Sequence, residues 1–111
     1  MKALWIRGDA GFVAHAAADL TAPVAVLRSA PEAIWLVSQQ ELEAFEYLHH
    51  RAGQVARALV YGCTQERIWE RIEGAAEPWE TWRRAPKLGS ANFSFHGDPV
   101  AAIARHFKLP R

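Results

Sequence analysis

Residues 55–61 constrain the fold of this chain more than any other segment, because only Arg57 interrupts an otherwise continuous run of apolar, largely β-branched or aromatic side chains. A run that short and that apolar suits a strand covered on both faces, and so predicts a central place in a sheet with packing layers on either side. The chain has 111 residues, enough for one core and too few for two, so a single globular domain over 1–111 is expected. Half of the residues are apolar and 23% are charged, the balance of a chain that buries a core instead of staying disordered.

Around that strand the pattern predicts a series of further elements. Residues 3–6 read as a strand ended by Gly8. Asp9 then caps a helix carrying Val13, Ala16, Ala17 and Leu20 at helical spacing, although Gly11 weakens it. Residues 24–27 and 33–37 read as two strands, and the short connection between them makes them antiparallel. Ser38 and Glu41 have the spacing of a capping box, which starts a helix at Gln39 with Leu42, Phe45, His49 and Ala52 on one side and Gly53 as its stop. Thr64 caps a helix that buries Ile68, Trp69 and Ile72 and closes at Gly74. A short helix beginning at Pro78 breaks up the long stretch 75–91, and residues 92–95 alternate as a strand near a sheet edge. Asp98 and Pro99 open a last helix with Val100, Ile103 and Phe107 on one stripe and Arg105, His106 and Lys108 at its C-terminal end. The fold class this order predicts is α/β, mixed α and β, with a single small mixed sheet of four to five strands and helices packed on it.

Several residues invite a chemical reading. Cys63 sits where the central strand meets the predicted helix, and a helix N-terminus stabilises a thiolate, so Cys63 is a weak candidate for the nucleophile of a cysteine-dependent enzyme. An arginine six positions on, needed to fold over a transferring phosphate, is replaced by Trp69, and Glu66 would repel the phosphate, so phosphoryl chemistry is not expected. The plainer expectation for Cys63 is a small buried apolar residue. Adjacent His49 and His50 would diverge by about 100° on a helix and could not share a ligand, leaving His49 as a core-edge imidazole bonded to backbone and His50 as a surface partner of Glu46. His15, His96 and His106 are dispersed, no zinc spacing occurs, and no metal is expected. Gly8, Asp9, Ala10 and Gly11 resemble a phosphate-cradling turn superficially, but Ala14 stands where a third glycine is needed and Asp9 would face the anion, so no cofactor is expected.

The most unusual stretch combines Trp79, Trp82, Arg83, Arg84 and Lys87. Tryptophan and arginine are the side chains most enriched at binding hot spots, and on a short helix the two indoles would share a face. The competing expectation is that they plug the core, since a chain with five tryptophans packs several of them inside. From residue 83 onward there are six cations against the single anion Asp98, leaving seven cations and eleven anions in the preceding 82 residues. This asymmetry suits an acidic partner. The leading expectation is therefore a small non-enzymatic binding or regulatory protein, of inhibitor, immunity or adaptor type, that docks on an acidic protein partner through Trp79, Trp82, Arg83, Arg84 and Lys87. The first alternative is nucleic-acid binding through the basic C-terminal segment, with Phe93, Phe95 or Trp82 stacking on bases beside Arg105 and Lys108. The cysteine-dependent enzyme is the second, and a homodimer formed through residues 92–95 or the patch around Trp79 is a further option. Arg7 and Asp9 cut short the only apolar stretch that could begin an export signal, no run approaches the ~20 residues of a membrane span, and a lone cysteine suits a reducing compartment, so the expected location is the cytoplasm.

Overall fold

A computed structural model of the protein describes residues 1–15, 24–39, 43–63 and 66–110. They are mostly β: β1 (Lys2–Gly8), β2 (Gly11–His15), β3 (Glu32–Gln39), β4 (Ala44–Arg51), β5 (Gln54–Tyr61) and β6 (Trp69–Gly74) form one antiparallel sheet in the order β2-β1-β3-β4-β5-β6. Two short helices, α1 (Val24–Ser29) and α2 (Pro99–Phe107), are the helices among the described residues. The expected α/β class with a mixed sheet of four to five strands is thus corrected to six strands, all antiparallel. Among the described residues no helix is long and apolar enough to cross a membrane.

Each face of the sheet buries its own cluster, because side chains alternate along a strand. On one face α1 lays Leu27, with Ala30 just past its end, over Leu4, Ala33, Trp35, Leu48 and Ala58. On the other, Trp5, Ile34, Leu36, Phe45, Tyr47, Leu59, Tyr61 and Trp69 lie beneath α2 and the irregular segment 75–98, which contribute Trp79, Ile103 and Leu109. The strand over 55–61 and its inner position hold, with β4 on one side and β6 on the other.

Three predicted helices are replaced, and each has a physical reason. Within β4, Phe45, Tyr47 and His49 face one side of the sheet while Leu48 faces the other; Phe45 and His49 also satisfy helical spacing, but Tyr47 between them does not, and aromatic strand propensity prevails. Gly53 ends no helix but forms the two-residue β4–β5 turn with Ala52, both at positive φ (77° and 50°), the backbone of a hairpin whose twist matches its strands. Glu41 and Leu42, part of that expected helix, lie outside the described residues.

In β6, Trp69 pairs with Tyr61 and Arg71 with Val60, so Glu70 is an extra residue in a β-bulge. The bulge turns Trp69 and Ile72, three apart, toward the same core, reproducing the spacing of a buried helix stripe in a strand. Thr64, the cap assigned to this helix, lies outside the described residues. At the N-terminus, Gly8 pairs with Gly11 across a turn at Asp9 and Ala10, so the expected helix begins instead as β2; its Ala16, Ala17 and Leu20 lie outside the described residues.

The segment 24–27, expected as a strand, is α1, which buries Leu27; Ala30, just past its end and before Pro31, packs in the same cluster. Strands over 3–6 and 33–37 appear as β1 and β3. The final helix appears as α2: Asp98 accepts from the Val100 amide at 3.0 Å, Pro99 follows it, and Lys108 closes the end with φ 53°. Residues 92–95 make only one isolated bridge, Phe95 with Trp82, and Pro78 opens a turn, not a helix.

Candidate functional site

Arg57 is the one charge in an otherwise apolar strand, and its burial requires a counter-charge. Segment 75–98 supplies it. The guanidinium binds both carboxylate oxygens of Glu80 at 2.7 and 2.9 Å and donates to the Gly74 carbonyl at 2.7 Å. Glu80 in turn accepts from Trp82 Nε1 at 3.0 Å and from the Glu77 amide at 2.7 Å. The side chains are 7% and 1% exposed, so this is a fully desolvated, bidentate pair.

A second cluster lies beside it. His49 is completely buried under Phe107 of α2, whose ring meets it edge-on with centroids 5.0 Å apart. Its Nδ1 lies 2.6 Å from Glu77 and its Nε2 2.6 Å from Glu32. Glu77 also accepts from the Tyr47 hydroxyl and from Trp79 Nε1, and Glu32 from Arg7 Nε at 2.6 Å. Burial pushes both carboxyls up, but hydrogen bonds outweigh it, from His49, Tyr47 and Trp79 on Glu77 and from His49 and Arg7 on Glu32, and hold both below the usual carboxylate range. A carboxylate only accepts, so both nitrogens of the His49 ring face acceptors. Burial and the Glu77 charge push Tyr47 far above an ordinary phenol, which keeps it a donor. The two carboxylates occupy opposite ends of the ring, so they share no point at which a metal could sit; among the described residues no group of three or more such ligands converges.

These contacts fix where the sequence-derived candidates lie. Trp79 is 4% exposed and stacks edge-on against Tyr47. Trp82 is half-buried among Trp69, Phe93 and Phe95, with ring centroids 4.9 to 5.4 Å away. The two indoles are therefore anchors of the segment and do not form a shared exposed face. Phe93 and Phe95 are half-buried and pack on the same core. Arg83, Arg84 and Lys87 are exposed, and among the described residues none has a carboxylate partner.

No family model, curated protein or solved structure matches this chain. Function is therefore read from this geometry alone. Cys63 follows β5 in a bend, and the next described residues, 66–68, are bends that lead into β6. Although part of the residue is exposed, its sulfur rests against the Phe45 and Tyr61 carbonyls, and burial together with Glu46 and Glu70 pushes the thiol up to about 11. These surroundings disfavour the thiolate. His49 binds carboxylates instead of backbone, and His50 points to the other face, where burial and Arg71 lower its pKa; its Nδ1 is buried without a partner. Gly8 to Gly11 form a hairpin turn, not a strand-to-helix cradle.

The sequence reading missed Glu32, Glu77 and Glu80 as a set. The signal was Arg57: a lone charge in a buried strand demands a partner, and Glu80 lies two residues before Trp82 in the segment richest in buriable aromatics.

Proposed function

We propose that this protein is a small non-enzymatic binding or regulatory protein, of inhibitor, immunity or adaptor type, that docks on an acidic protein partner through Arg83, Arg84 and Lys87. Trp79 and Trp82 hold that surface in place and do not themselves make the contact. The observation that carries the reading is an irregular segment, 75–98, anchored by two indoles, a buried ion pair and a His-carboxylate cluster, whose three cations are nonetheless left exposed and unpaired. Arg83 is fixed through its amide to the Ser94 carbonyl at 2.8 Å. Leu88, 63% exposed, follows Lys87 and adds apolar area beside the charges. Rigid presentation lowers the ordering cost of binding, and unpaired cations steer an acidic partner. The lone cysteine suits a reducing compartment such as the cytoplasm.

The test is capture from the native host at low salt, comparing the wild type with the triple variant R83E/R84E/K87E and with the control Arg28→Glu on α1. A stoichiometric acidic protein companion retained by the wild type and the control but lost by the triple variant supports the reading. A companion indifferent to the triple change, or none at all, refutes it. Co-eluting nucleic acid, shown by a raised 260 to 280 nm ratio that a high-salt wash removes, would replace the reading with the nucleic-acid alternative.

A further inference from the structure

On the far side of the His49 cluster, a cleft of about 690 Å³ opens between the β1–β2 turn, the ends of β3 and β4, and the C-terminal end of α2. That volume suits a small ligand. Glu32 forms part of its floor, and Arg7, Arg51 and Lys108 stand around it, with Phe12 and Phe107 as an aromatic wall. Both oxygens of Glu32 are already engaged, one by Arg7 Nε and the other by His49 Nε2, with Arg51 Nε at 3.4 Å.

The two arginines reach Glu32 only through Nε. Their terminal amines have no partner among the described residues, and neither does the Lys108 ammonium. Arg51 is 65% exposed and only loosely held, whereas Arg7 is set by stacking over Phe12 at 4.4 Å. Glu32 is thus the one carboxylate among the described residues of the lining, set against Arg7, Arg51 and Lys108, and although it pairs with both arginines it cannot balance all three cations. Asp9, in the neighbouring turn, is not among the residues that line the cleft.

From this arrangement we infer a ligand site for a phosphomonoester carried on a small apolar body. Two guanidinium forks and an ammonium match the three oxygens and double charge of a phosphate better than a single carboxylate, and the half-buried Phe107 ring in the lining offers a surface for the body. The site lies outside the Arg83 to Lys87 surface and does not depend on it.

The experiment is a low-salt titration of the full ¹⁵N-labelled chain with phenyl phosphate, with inorganic phosphate and benzoate run alongside. The expected result is saturable shifts confined to the Phe12, Arg51 and Lys108 amides and the Arg7 and Arg51 side-chain Nε–H signals, with a Kd of about 1 mM or tighter. Arg51→Gln and Lys108→Asn should each weaken binding, Arg51→Gln by about tenfold, and asparagine tolerates the left-handed backbone of position 108. The two variants are independent, so misfolding of one leaves the other as the test. Absence of saturation by about 10 mM phenyl phosphate overturns the site, as do shifts shared equally with Arg83 and Arg84. Equal affinity for inorganic phosphate, or for benzoate, overturns the phosphomonoester assignment.

Discussion

Replacing Glu80 with alanine should unfold this protein more readily than any other single change outside its hydrophobic core. The carboxylate is 1% exposed and neutralises Arg57, whose own side chain is 7% exposed. Its removal leaves a buried guanidinium with only the Gly74 and Glu73 carbonyls as partners and strips the acceptor from Trp82 Nε1 and the Glu77 amide. Breaking one side of a buried ion pair costs about 3–5 kcal/mol, a large share of the roughly 5–15 kcal/mol that stabilises a domain of this kind. Equilibrium urea unfolding should therefore show a midpoint lower by about 2 M, and thermal melting should fall by about 15 °C or more. The double variant Arg57→Met/Glu80→Met removes both charges and should recover most of the loss, because an apolar pair of similar volume replaces a desolvated ionic one at little net cost. A loss under about 1 kcal/mol for Glu80→Ala would mean that the pair is solvated and would refute the anchoring of segment 75–98. A double variant no better than the single would refute the electrostatic reasoning specifically.

Three further outcomes follow from other parts of the structure. Glu32 and Glu77 bind protons less readily folded than unfolded, so the stability they contribute is fully present above the ordinary carboxylate value of 4.5 and is lost as pH falls from there through their lowered values. Glu46, whose carboxyl burial raises, acts in the opposite sense. Urea midpoints measured from about pH 7 to about pH 3 should drop steeply, and Glu77→Gln should flatten the drop; an unchanged slope would remove Glu77 from its cause. Cys63 should react with iodoacetamide at neutral pH roughly tenfold or more slowly than a free cysteine peptide, with a rate still climbing toward its value of about 11; a plateau below about pH 9 would contradict its surroundings of backbone carbonyls and acids. Gly53→Ala would set a Cβ 2.5 Å from the Arg28 carbonyl oxygen at a φ of 77°, and should destabilise by about 1–3 kcal/mol by urea unfolding; a neutral result would mean that α1 does not rest on the β4–β5 turn.

What the sequence made legible were elements whose pattern admits one reading. The uninterrupted run over 55–61 and the cap pair Asp98 and Pro99 each satisfy a single kind of element, and β5 and α2 appear where they imply. The helices expected over β4 and β6 fail for one cause: a spacing of three or four is necessary for a buried helix stripe but not peculiar to it. Trp69 and Ile72 reach it through the bulge at Glu70, and Phe45 and His49 reach it as alternate inward positions of β4. Within β4, Tyr47 between them also faces inward, which a helix stripe through Phe45 and His49 would not allow. Arg57 was the legible part of the buried network. Its partner was not, because no local spacing links a residue of β5 to one 23 positions later.

Segment 75–98 draws these points together. A long irregular stretch in so small a domain argues for hidden regular structure, and a short helix there is the natural expectation. The chain instead satisfies the segment without a helix. Tryptophan Nε1 atoms and the Glu77 amide find carboxylate acceptors, the Arg83 and His96 amides bond to carbonyls across the loop, and the aromatic faces fill the space that a helix side would occupy. Such a segment needs its acids and indoles together: Glu77 and Glu80 are each held by an indole donor and a side chain of the sheet, so removing either loosens the other. Only its cations escape this requirement, since nothing in the packing uses Arg83, Arg84 or Lys87. Charges that the fold does not consume are the part of the segment left for interaction.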